Sequence, residues 1–303
     1  MKSPHLLRFV APLVAFCLSA AHLSANSEIR NWENKDGSRY DAEIIAVDEA
    51  NEKITLRLSG GKESILSFSD LSVRDKAWIL EWIEMNEELA VKVKEYGGKL
   101  ERIEDKEGKG RAGFYVYHPS GDVDPAKPRP LMFIYDPSGN PIRYILRHIE
   151  AAETTKMILA SSETFRNGQD TNEMSKKFDA MLTLFEAHVP YDKNRLFLGG
   201  TSGGAVAAFA TSAALQHVKF AGIYSNVGWL GPAPHDKRPY PAYRVAMVNG
   251  DKDTAVASYL ESVTKTLQER GCTVSLFAFE GGHQIPPPSV QIKSFRWLLG
   301  ETE

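Results

Sequence analysis

The chain has 303 residues, of which 43% are hydrophobic, 25% charged and 10% aromatic. That is the balance of a folded globular protein and excludes disorder, collagen and coiled coil. A formal net charge of −3 argues against a broad nucleic-acid-binding surface, and the length leaves room for one large domain and one small one.

In chain order, Lys2 and Arg8 give a positive start, an apolar run follows from Phe9 to Ala21, and small residues surround Ala25. This pattern predicts a secretory signal peptide over residues 1–25. The run is shorter than the ~20 residues a membrane-spanning helix needs, and Pro12 interrupts it. The mature chain is then expected to be secreted or periplasmic, without a membrane span. Loss of Lys2 and Arg8 takes the net charge to −5, and loss of Cys17 leaves Cys272 as the one thiol, so no intrachain disulfide is expected.

Residues 26–86 read as a small β unit. Ile44–Val47 and Ile54–Leu58 are strand-like runs, and Asp36-Gly37 and Gly60-Gly61 supply turns. Ser72 is a candidate N-cap for a helix whose apolar spacing begins at Trp78. About five short strands in under 60 residues suggest a small barrel. The stretch resembles the SLA1 homology domain 1 family, an SH3-like barrel, through Arg30-Asn-Trp32, Asp36-Gly37, Ala42-Glu43, Lys53–Arg57, and Leu71-Ser72 with Asp75. The resemblance does not assign a role: binding or tethering to a protein or surface partner is one expectation, and a folded spacer is the other. Residues 87–112 read as a helix tail, a linker and an edge strand.

Over residues 113–303 apolar runs of strand length alternate with helical stretches. Strands are predicted at 114–117, 131–135, 157–160, 196–198, 220–224, 243–248 and 274–279, with helices near 141–153, 172–189, 203–216, 255–270 and 287–299. The fold class is therefore α/β, a doubly wound, mostly parallel sheet covered on both faces. Ligands of such sheets bind beyond the carboxyl ends of the strands, so functional residues are sought there.

Gly200-Thr201-Ser202-Gly203-Gly204 follows a strand and precedes a helix rich in small residues. A serine on so tight a turn is exposed and strained, as a nucleophile requires. No P-loop lysine follows, and the spacing is not that of a dinucleotide site. Serine needs a base, and the base needs a carboxylate to orient it. Among the histidines His283, in Glu280-Gly-Gly-His283 after the last strand, is the candidate. His118, His148, His188, His217 and His235 lack a glycine setting and are assigned to surface or packing roles. In Asn249-Gly-Asp-Lys-Asp253, Asp253 is the first choice for the acid and Asp251 the second. No His/Cys/Asp cluster has metal-ligand spacing, so neither metal nor cofactor is expected.

With Tyr191-Asp-Lys-Asn-Arg195, Gly250-Asp-Lys-Asp253 and Gly282-His283-Gln284 ahead of three prolines, residues 113–300 resemble the α/β-hydrolases, close to their polyhydroxybutyrate-depolymerase-like and feruloyl-esterase-like group. The resemblance implies an extracytoplasmic serine esterase, with polysaccharide-linked acyl esters as the suggested substrate class. It implies an oxyanion hole formed by the N–H groups of Gly203 and Ser138. The family carries a His-Gly pair where this chain has Asp136-Pro137. Proline has no N–H to give, and a carboxylate there opposes negative charge. Arg166, Asn167 and Trp229 are further candidates for the pocket wall. The short stretch from Tyr224 to Tyr243 suggests an open site without a large lid. A serine peptidase, or a binding protein with a retired hydrolase pocket, are the competing readings.

Overall fold

A computed structural model describes residues 30–58, 61–104, 113–124, 126–162, 165, 167–231 and 243–301. The predicted signal peptide lies outside them, as do Arg166, His235 and most of the loop before Tyr243. The chain divides into two compact units, one ending at Asp75 and the other beginning at Lys76.

In the first unit, β1 (Arg30–Glu33), β2 (Arg39–Asp48), β3 (Lys53–Leu58) and β4 (Glu63–Ser67) form an antiparallel sheet in the order 1-2-3-4. Trp32, Ala42, Ile44, Ile54 and Leu56 are buried in it, and Trp32 Nε1 donates to the Ala42 carbonyl at 2.8 Å. Gly37 takes φ 84°, which a residue with a β-carbon adopts only under strain. What is described is a four-stranded meander with one further bridge, Asn34 to Leu71. Ser72 caps the helix that follows, its Oγ accepting from Asp75 N–H at 3.1 Å.

That helix is α1 (Val73–Tyr96). In the second unit, the rest of the framework comprises β5 (Lys99–Glu104), β6 (Gly113–His118), β7 (Leu131–Tyr135), α2 (Pro141–Thr155), β8 (Ile158–Ser161), α3 (Thr171–His188), β9 (Leu196–Thr201), α4 (Gly203–Ala214), β10 (Gly222–Asn226), β11 (Arg244–Gly250), α5 (Thr254–Glu269), β12 (Thr273–Phe279) and α6 (Pro288–Leu299). The eight-stranded sheet runs β12-β11-β10-β9-β7-β8-β6-β5. It is parallel from β12 to β8, while β6 lies antiparallel to both β8 and β5. Every residue of β7, β8, β9 and β10 is buried, which is why these strands read as continuous apolar runs rather than alternating ones.

One face of the sheet is packed by Phe178, Phe185, Phe209 and Leu267 of α3, α4 and α5, the other by Leu89, Ile145, Ile149 and Phe295 of α1, α2 and α6. Each fully buried Phe or Ile of this kind is worth roughly 1.5–3 kcal/mol. Among the described residues no helix is long and apolar enough to cross a membrane.

Candidate active site

Ser202 stands between β9 and α4 with φ 54° and ψ −119°, a conformation that costs energy in any residue carrying a β-carbon. The glycines around it follow from the sharpness of the turn. A β-carbon at Gly200 would overlap the backbone of Gly204, and one at Gly204 would overlap the Tyr135 carbonyl. Ser202 N–H donates to the Asn226 carbonyl at 2.9 Å. Gly203 opens α4 and carries one of the N–H groups that a helix start leaves unpaired.

Asp253 follows β11 and caps α5, Oδ1 accepting from Val256 N–H at 3.3 Å. Its Oδ2 lies 2.7 Å from His283 Nδ1. The Asp253 side chain is 2% exposed and that of His283 42%. A carboxylate accepts only, so a neutral imidazole carries its proton on Nδ1 and leaves Nε2 as a hydrogen-bond acceptor. Asp251 does not face the ring; its Oδ1 accepts from Gly281 N–H at 2.9 Å. In the same turn Lys252 N–H donates to the Gly281 carbonyl at 2.8 Å. These two bonds hold the histidine loop to the end of β11. Ser202 Oγ and His283 share no hydrogen bond; contacts of this kind commonly tighten only when substrate is bound.

A residue that sequence reasoning missed joins the two halves of the site. Asn226, at the end of β10 and fully buried, donates from Nδ2 to Thr201 Oγ1 at 2.8 Å and to the Gln284 carbonyl at 3.2 Å. One of these partners is the chain neighbour of Ser202 and the other that of His283. Tyr144 of α2 is also buried, and burial raises the pKa of its phenol. The available signal was position alone: Asn226 stands at the carboxyl end of a buried strand, where ligand-facing residues collect.

The loop after β7 departs from expectation. Asp136 is buried and takes hydrogen bonds from Ser138 N–H (2.7 Å), Ser138 Oγ (2.8 Å) and Asn140 N–H (2.8 Å). Burial raises its pKa, an effect that these donors oppose without cancelling. Ser138 N–H, expected to line the oxyanion hole, is thus engaged by a carboxylate two residues earlier in the chain. The charge that looked unfavourable beside the hole is held by these donors and anchors the loop.

Beside Ser202 lies a cavity of about 290 Å³. Tyr135, Phe165, Met174, Val206 and Trp229 give it apolar walls, and Asn167 and Gln169 contribute polar groups. Of the pocket candidates, Asn167 and Trp229 line it, and Arg166 lies outside the described residues. The remaining described histidines have other settings. His118 pairs with Glu101 and His217 with Asp179, His188 ends α3, and His148 is fully buried.

No family model matches the chain, and no curated protein matches it. Solved structures do. An esterase superposes with TM-score 0.55 at 12% identity, covering 77% of this chain and 88% of its own. A dienelactone hydrolase-like promiscuous phosphotriesterase from metagenomic libraries gives 0.52 at 11%, covering 67% and 96%. An S-formylglutathione hydrolase from Agrobacterium tumefaciens gives 0.51 at 13%, covering 68% and 95%. At these identities the likeness is one of fold, and the fold is that of the α/β-hydrolases.

Proposed function

We propose that the chain is a serine hydrolase of the esterase type, acting on carboxylic esters through Ser202, His283 and Asp253. The observation that carries this reading is the buried Asp253 carboxylate bonded to His283 Nδ1 at 2.7 Å, on the same strand-end rim as a serine held at φ 54°. Nε2 of His283 takes the Ser202 proton as Oγ bonds to the ester carbonyl carbon, and the carbonyl π electrons move to its oxygen. Collapse of this tetrahedral species breaks the bond to the alcohol, which leaves with the proton from Nε2. Water, deprotonated by the same nitrogen, then releases the acid from Ser202. Gly203 N–H is one donor to the developing oxyanion.

The apolar cavity beside Ser202 suits the acyl part of a small ester, and the sequence resemblance points to esters carried on a polysaccharide. Esterase and hydrolase chains among the similar structures support the ester class. The N-terminal signal pattern supports action outside the cytoplasm, and the resemblance of the first unit supports an SH3-like module that tethers the enzyme to a protein or surface partner.

The test is labelling of the full chain with a fluorophosphonate, alongside hydrolysis of p-nitrophenyl acetate. Wild type is expected to label and hydrolyse, and Ser202→Ala to do neither. Folded wild-type protein that does not label would overturn the reading in favour of a binding protein with a hydrolase-like pocket, for which the engaged Ser138 N–H is the supporting observation.

A further inference from the structure

The oxyanion hole proposed above has one donor, Gly203 N–H, where acyl transfer ordinarily uses two. Residues 137–140 of the loop after β7 have no backbone N–H left to furnish the second. Pro137 has no N–H. Ser138 and Asn140 donate to the Asp136 carboxylate at 2.7 and 2.8 Å, and Gly139 donates to the Asp136 carbonyl at 3.2 Å.

We infer that the side-chain amide of Asn167 is the second oxyanion donor. Its carboxamide lies directly against Gly203, where a β-carbon on that glycine would overlap both its oxygen and its carbonyl carbon. Its backbone is fixed to the same loop, Asn167 N–H donating to the Pro137 carbonyl at 2.8 Å. It lines the cavity that also holds Ser202 and Gly203. The terminal torsion of asparagine is soft and two-fold, so Nδ2 turns toward the carbonyl oxygen while the backbone stays in place. The absence of a side chain at Gly203 is what leaves room for the amide. The Asp136 network and Asn167 are then two parts of one arrangement: the loop gives its N–H groups to an internal anchor, and a neighbouring loop returns a donor.

This inference rests on the esterase reading, and one set of assays separates the two. The full chain and its Asn167→Ala and Asn167→Asp variants are compared by fluorophosphonate labelling, by p-nitrophenyl acetate kinetics and by inhibition with a boronic acid, which becomes tetrahedral and anionic on Ser202. Asn167 is exposed, so both variants are expected to fold, as thermal unfolding will register. Asn167→Ala is expected to lower kcat by about 10²–10³-fold with KM little changed, and to weaken the boronic acid by a similar factor. Asn167→Asp is expected to fall further, since it sets a negative charge against the oxyanion. A hydrolysing wild type whose Asn167→Ala variant keeps its kcat, or changes only KM, would overturn the inference and leave the esterase reading standing. A wild type that neither labels nor hydrolyses would remove both.

Discussion

Two carboxylates two residues apart, Asp251 and Asp253, follow the same strand, and spacing alone does not choose between them. Geometry does. Asp253 is buried, caps α5 and bonds His283, so the N-terminal end of the helix favours its negative charge and its second oxygen fixes the histidine tautomer. Asp251 bonds a backbone N–H of the histidine loop, a bond that an asparagine oxygen reproduces. Asp253→Asn is therefore expected to lower kcat by about 10⁴-fold, because a neutral amide no longer holds the imidazole in its productive tautomer or balances its charge. Asp251→Asn is expected to cost less than about tenfold, since only loop support changes. Steady-state hydrolysis of a p-nitrophenyl ester by the two variants measures this; the reverse order would transfer the acid role to Asp251.

At the scale of elements, the site is a set of strand ends held in register. β9 delivers Ser202, β11 delivers Asp253, and the loop after β12 delivers His283; β10 lies between β9 and β11 and supplies Asn226. Removing its amide leaves Thr201 Oγ1 and the Gln284 carbonyl without their shared donor. Asn226→Ala is expected to lose roughly 1–3 kcal/mol of stability and to lower kcat/KM beyond what the remaining folded fraction explains. Chemical denaturation and ester kinetics on the same preparation check both parts. Unchanged kcat/KM in a destabilised variant would reduce Asn226 to a packing residue.

The strands and helices of the second unit were legible in the sequence because buried parallel strands leave uninterrupted apolar runs. The turn at Ser202 was legible because close approach of strand and helix demands glycine at Gly200 and Gly204. Asn226 was not legible, and Asn167 was legible as a pocket-wall residue but not in the donor role proposed for it: a single asparagine at a strand end or in a loop has no spacing signature, and such a role exists only through partners distant in the chain. The destination of the Ser138 N–H was equally hidden, because an aspartate two residues earlier competes for it only once the loop has closed.

For the whole molecule, the layering of helices on the sheet creates an acid sensitivity of its own. His148 on α2 is fully buried among Tyr144, Tyr224 and Phe295. Nδ1 donates to the Tyr144 carbonyl at 2.8 Å, and Nε2 has no hydrogen-bond partner among the described residues. Burial lowers its pKa from 6.5 to about 4. The native state therefore refuses a proton that the unfolded chain accepts. Stability linked to this group is full above pH 6.5, falls as the pH drops toward 4, and is level below that. The loss is roughly 3 kcal/mol at most, from the size of the displacement. His148→Leu keeps the packing apolar and removes the titration. Urea unfolding between pH 7 and pH 4 is expected to show the wild type losing stability more steeply than the variant, the difference opening below pH 6.5. Parallel curves would mean that the imidazole takes up its proton within the fold, and that the layer between α2, α6 and β10 opens to water more readily than its packing implies.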